Sequence, residues 1–298
     1  MMRTQLKRKL IVTLALPAMG LASAALAAGD TYHDKATRSA AEGAAATSAA
    51  SKTPRHAMQD ERSSKLIGMN VRNAQGENLG EIKDLVLDVN HDRVSYAILG
   101  FGGALGLGEK LFAYPVSLFS HDTTDNKLVL NVDKEKLKNA PGFERSHWPD
   151  WNRDRYRRDV ESYFGPTVAA KAMPNQHLVR ASELIGKDVN DRNGKDVGEI
   201  EDIVVNLGNG RIHYAVLDFD KAWSTADKLL PVAMKSIQFP ADPKKDLVLT
   251  LNRNQLDMSR GFTAHEWPNI ADPAYQRNVD AYLGKPGVAG ESGPVMKD

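Results

Sequence analysis

The sequence predicts a mostly β protein built from one unit written twice. Three observations carry that reading: a gapless internal repeat, apolar alternation of period two within each copy, and a slip of that alternation at the same place in both. Leu66–Phe101 aligns with Leu184–Phe219 at a constant offset, with Leu66/Leu184, Gly68/Gly186, Gly80/Gly198, Glu81/Glu199, Asp84/Asp202, Arg93/Arg211, Tyr96/Tyr214 and Phe101/Phe219 among the identities. Most remaining pairs exchange one apolar residue for another, as in Leu87/Val205.

Each element follows in order. Gly68–Arg72 reads as a short strand and Asn73–Gly76 as its turn, with Gly76 free to take positive φ. The next strand, Leu79–Val89, has its apolar residues at Leu79, Ile82, Leu85, Leu87 and Val89, so the alternation slips between Ile82 and Leu85. Ile200 and Ile203 repeat the slip, which is the mark of an inherited β-bulge and a device for curving small sheets. A hairpin turn follows at Asn90–Asp92, matched by Gly208-Asn209-Gly210. Val94–Phe101 and Ile212–Phe219 are apolar at nearly every position, which predicts a central strand buried on both faces. Lys110–Tyr114 and Lys228–Leu230 are short strands running into Pro-Val, and Lys127–Val132 matches Asp246–Leu251 as a last strand. Asp154–Tyr163 and Pro273–Tyr282 read as short helices after each unit, behind the paired Trp148-Pro149 and Trp267-Pro268.

The ends of the chain point to export. Arg3, Lys7, Arg8 and Lys9 precede an uncharged run from Leu10 to Ala28 that ends in Ala25-Leu26-Ala27, the pattern of a cleaved signal peptide. The run approaches the roughly 20 residues of a bilayer span, but Pro17, Gly20 and its many alanines make a poor anchor. The chain has 39 basic and 38 acidic side chains, and cleavage after Ala27 would turn that balance mildly acidic. With no cysteine, disulfides, thiolate metal sites, a cysteine nucleophile and lipidation at the cleavage point are excluded. The expected organisation is a signal peptide (1–27), a flexible leader poor in large apolar residues (28–63), a first unit with helical extension (64–165), a linker (166–180), a second unit with its extension (181–284) and a disordered tail (285–298). The expected compartment is the periplasm.

The opening Ser64-Lys65-Leu66-Ile67-Gly68, the strand Gly80-Glu81-Ile82-Lys83-Asp84 and the loop Gly102-Gly103-Ala104-Leu105-Gly106 together resemble the PRC-barrel family, named for the photosynthetic reaction centre H subunit. The likeness covers Ser64–Val132 and, more weakly, Ala181–Leu251. It implies a small, mostly antiparallel β-barrel for each unit and a binding or assembly role, because the family has no common catalytic site. With the helices read above, which lie outside that motif, the expected fold is two tandem small antiparallel β-barrels, each followed by a short helical segment. The second unit departs from the pattern: Asp220–Asp227, with Trp223, replaces the glycine loop.

Candidate chemistry is sparse. Gly102–Gly108 leads into a strand rather than a helix N-terminus, so it reads as a connector and not a phosphate cradle. Leu105 and Leu107 on it make a small apolar patch for a partner, and Trp223, without a counterpart, is a second candidate contact. Glu81, Asp84, Glu199 and Asp202 are retained carboxylates with two open readings. They either hold a hard cation or accept backbone N–H groups at the bulge, with Arg93 as an ion-pair partner. The histidines show no metal-binding spacing, His213 reads as a packed residue, and no nucleophile elbow is present. Arg153, Arg155, Arg157 and Arg158 favour a solvated helix face, with contact to anionic lipid as the other reading. The expectation is a non-enzymatic envelope protein that binds a protein partner, with no cofactor, no metal and no nucleic acid. The alternative is a cation or small-molecule module using Asp84 and Asp202.

Overall fold

The computed structural model describes residues 60–101, 110–122, 127–130, 132, 134–165, 173–220 and 228–284. The first repeat comprises β1 (Glu61–Arg62), α1 (Ser63–Leu66), β2 (Asn70–Arg72), β3 (Asn78–Asp88), β4 (Arg93–Phe101), β5 (Lys110–Pro115), β6 (Phe119–Asp122), β7 (Lys127–Leu130), α2 (Lys134–Lys138), β8 (Gly142–Glu144) and α3 (Asp154–Phe164). The second comprises β9 (Leu178–Arg180), α4 (Ala181–Leu184), β10 (Asp188–Asn190), β11 (Asp196–Asn206), β12 (Arg211–Phe219), β13 (Leu229–Val232), β14 (Ile237–Gln238), β15 (Leu247–Leu249) and α5 (Pro273–Leu283).

The slip read from the apolar pattern is a real bulge. The β3–β4 register jumps between Ile82 and Asp84, and the β11–β12 register jumps between Ile200 and Asp202. Just ahead of each bulge the backbones approach so closely that only glycine fits. A Cβ on Gly80 would lie 1.9 Å from the Gly100 carbonyl oxygen, and one on Gly198 would lie 1.9 Å from that of Asp218. Both glycines also have positive φ, +121° and +144°.

The central strands are buried on both faces, as their composition requires. Val94, Ala97 and Leu99 face a core shared by both repeats. Tyr96 and Ile98 face a second layer with Trp151, Val160 and Leu178, so α3 and the segment before it cover the outer face. In the second repeat Ile270, Val279 and Tyr282 of the α5 region complete the cover. The helix α5 begins where Asp272 accepts the Ala274 amide at 2.9 Å and Pro273 fixes the first turn.

The closed antiparallel barrels implied by the family likeness are not what the pairing shows. The strands form one mixed sheet whose main path runs β14-β15-β10-β11-β12-β4-β3-β2-β7-β6, open at both ends. Two pairs, β2–β7 and β10–β15, are parallel. The halves join at the hairpin tips through reciprocal bonds, Val94 N–H to Gly210 at 3.0 Å and Ile212 N–H to Asp92 at 2.9 Å. The second half of each long bulged strand is paired by a segment that precedes the other repeat. The strand β9 lies along β3 through Val86–Asp88, and β1 lies along β11 through Val204–Val205.

Both strands lie in segments read from the sequence as leader and linker: Glu61–Arg62 form β1, with Ser63 opening α1, and Leu178–Arg180 form β9. Neither carries alternation of its own, because each is a short arm held by a partner strand. The export segment, the rest of the leader, the glycine loop, the 221–227 loop and the tail from 285 lie outside the described residues. No helix among the described residues is long and apolar enough to cross a membrane.

Candidate functional site

The retained carboxylates sit where the arms dock. The Asp84 side chain, buried at the bulge of β3, accepts the Leu85 amide at 2.8 Å, the Ser182 amide at 3.1 Å and the Ser182 hydroxyl at 2.5 Å. Asp202, buried at the bulge of β11, repeats the arrangement with the Ile203 amide at 2.8 Å, the Ser64 amide at 3.2 Å and the Ser64 hydroxyl at 2.5 Å. Each carboxylate therefore holds the segment leading into the opposite repeat. An arginine two residues before each serine completes the socket. Arg62 lies 4.0 Å over the Trp267 ring, and Arg180 lies 4.4 Å over the Trp148 ring. Trp148 and Trp267, expected as anchors of the helical segments, do pack on Phe143 and Phe262. In addition they roof the arginines.

The arginines divide their charge differently. Arg62 donates from Nε to Asp202 at 2.8 Å. Arg180 reaches Asp84 only at 3.8 Å, because Glu183 captures it. The residue equivalent to Glu183 is Lys65, which leaves Arg62 to Asp202. Burial pushes the Asp84 carboxyl above its ordinary value, against the hydrogen bonds of Ser182 and Leu85 and the charge of Arg180.

The oxygens of Asp84 and Asp202 accept from serine, arginine and backbone donors, the arrangement expected of carboxylates that tie down a bulge. No group of three or more His, Asp or Glu that could hold a metal occurs among the described residues. Arg93, expected as an ion-pair partner, instead stands opposite Arg211 where the halves join.

A second feature belongs to one repeat alone. Register places Asp188 opposite Glu199 and Glu199 opposite Asp218, a row of three carboxylates across β10, β11 and β12. Glu201, two residues along, adds a fourth. Burial and the crowding of Asp218 and Asp188 push the Glu199 carboxyl up, and burial with Asp218 and Asp202 does the same to Glu201. The equivalent positions of the first repeat are Asn70, Glu81, Gly100 and Lys83, where Lys83 neutralises Glu81 at 2.5 Å. Sequence reasoning saw Glu199 but not the row, because the opposing residues are assembled by strand register.

The candidate contacts Leu105, Leu107 and Trp223 lie outside the described residues. On α3, Arg153, Arg155 and Arg158 are exposed, as a solvated face requires, while the half-buried Arg157 donates to Gln176 at 2.5 Å. The arm residues Arg62/Arg180 and Ser64/Ser182 were overlooked. The signal was present, since both pairs are identical at the repeat offset just upstream of Leu66 and Leu184.

The family model for the PRC-barrel domain matches residues 58–137 and 177–247. The chain belongs to the PRC-barrel family. Both matches begin at or before the docking arms, so the family's unit includes the segment that sequence periodicity left to leader and linker. The chain carries two PRC-barrel domains in tandem, each lending its first residues to the other. No curated protein matches the chain.

Proposed function

We propose that this PRC-barrel protein is an exported, non-enzymatic scaffold of the cell envelope that holds a protein partner carrying a basic segment. The observation that carries the reading is the row Asp188–Glu199–Asp218 on the strand face of the second repeat. The equivalent positions of the first repeat are Asn70, Glu81 and Gly100, so the acidic row belongs to the second repeat alone. A basic segment laid along it would be drawn by an attraction that steers encounter and fades with salt. The exchanged arms support the scaffold role by tying both repeats into one body that can bear load between partners. The secretory pattern at the N-terminus supports export.

The test is crosslinking in intact cells followed by isolation of the envelope fraction, using the full chain and a variant carrying Asp188→Asn, Glu199→Gln and Asp218→Asn. A partner captured by the first, lost from the variant and weakened by raised salt supports the proposal. Equal capture by both overturns the assignment of the surface. A dose-dependent rise in melting temperature with calcium or magnesium, without a captured partner, overturns the scaffold reading in favour of cation binding.

A further inference from the structure

The two arms are locked at their leading ends by different chemistry. On the first repeat the lock is apolar: Leu178 of β9 is buried with Val86, Tyr96 and Val160. On the second repeat the equivalent of Leu178 is Asp60, that of Ser95 is His213, and that of Glu161 is Asp280. There His213 Nδ1 lies 2.5 Å from Asp60 and Nε2 lies 2.7 Å from Asp280. The imidazole thus bridges the arm to α5, with both ring nitrogens facing carboxylate oxygens.

A neutral imidazole has one N–H, and an ionised carboxylate only accepts. The doubly protonated ring serves both acids, whereas the neutral ring must turn a lone pair on one of them. We propose that His213 is a pH-sensitive latch on the first arm: as imidazolium it ties Asp60 to α5, and loss of a proton loosens the arm's leading end from the second repeat.

The groups around the ring are Asp60 from the arm, Asp280 from α5, the neutral Asn206 of β11, which donates to Asp60 at 3.0 Å, and the ring of Tyr214, whose phenol in turn lies by Tyr275 of α5. Burial works against the charged ring, but the two carboxylates outweigh it and hold His213 above its ordinary value. A folded-state value above the unfolded one gives a contribution fully present below about pH 6.5, the unfolded value, and lost as pH rises through the folded value. The loosening is confined to the leading end, because Arg62 and Ser64 stay anchored on Asp202.

The experiment follows the full chain by nitrogen-15 NMR from pH 5 to pH 10. The His213 ring nitrogens report protonation, and amide exchange, corrected for intrinsic rate, compares residues 60–64 with residues 178–182. The expected result is a doubly protonated His213 at neutral pH and a several-fold fall in protection of the first arm as it titrates, with the second arm unchanged. Asp280→Asn, at an exposed position, should move the transition to lower pH, and His213→Gln should hold the first arm loose throughout. A singly protonated His213 at neutral pH, a first arm indifferent to the titration, or equal loosening of both arms would overturn the proposal.

Discussion

The two arms of this molecule have the same backbone path and different chemistry around it. Each runs antiparallel to the far half of a bulged strand, each places a serine on a buried aspartate, and each lays an arginine against a tryptophan. Beyond that shared frame they diverge. The second arm enters through Leu178 and sends most of its arginine's charge to Glu183, whereas the first enters through Asp60 and bonds Arg62 directly to Asp202. The difference separates what the exchange demands from what each site has become. Carboxylate, serine, arginine and tryptophan are the common requirement, and the lock at the leading end is free to vary. Reciprocal exchange also gives the duplication a structural part to play, since each unit's arm fills the other unit's socket.

The largest effects are expected at the positions that the repeats share. Gly80→Ala and Gly198→Ala each drive a methyl into a carbonyl oxygen 1.9 Å away at positive φ, with backbone rather than a flexible side chain in the way. Each should cost more than about 4 kcal/mol, read as a large fall in the denaturation midpoint, and the two should be alike. A marked inequality would mean that the halves are not equivalent at their bulges. Next in size, the sockets should differ. Asp202→Ala strands a directly bonded arginine and should cost about 3 kcal/mol. Asp84→Ala leaves Arg180 with Glu183 and should cost about 1–2 kcal/mol. Equal losses in urea denaturation would show that the longer 3.8 Å approach of Arg180 carries as much as the 2.8 Å bond of Arg62.

Most of the strand order was legible in the sequence, because a strand buried on one face writes its period into the chain and a bulge writes its slip. Ile82 and Ile200 showed the phase change, Val94–Phe101 showed two-sided burial, and Pro273–Tyr282 read as a short helix. The arms were not legible by the same means. Three residues such as Leu178–Arg180 hold too little alternation to register, and their pairing with β3 is set by a strand some ninety residues earlier. The exchange was hidden for the same reason, since nothing in Leu79–Val89 says that its outer half is reserved for another segment. Asp84 and Asp202 were read correctly as bulge acceptors. Their donors lay on the far side of the duplication, and only the identity of Ser64 with Ser182 hinted at them. The row Asp188–Glu199–Asp218 is likewise a product of register rather than of spacing.

A subtler, pH-dependent change is expected at Asp84. Its carboxyl is held above the ordinary value by burial, which outweighs the hydrogen bonds from Ser182 and Leu85 and the charge of Arg180. A carboxyl raised in the folded state contributes fully below its unfolded value, near 3.8, and loses that contribution as pH rises through the folded value. Asp84→Asn keeps the shape of the protonated group but cannot ionise. Relative to the unmodified protein, the variant should therefore be least stable near pH 4 and should recover toward parity by pH 7. The recovery is measured as the difference in denaturation midpoint at each pH. A penalty that grows with pH would mean that Ser182 and Arg180 stabilise the ionised carboxylate by more than burial costs it, and that the socket on the first repeat works as an ion pair in spite of Glu183.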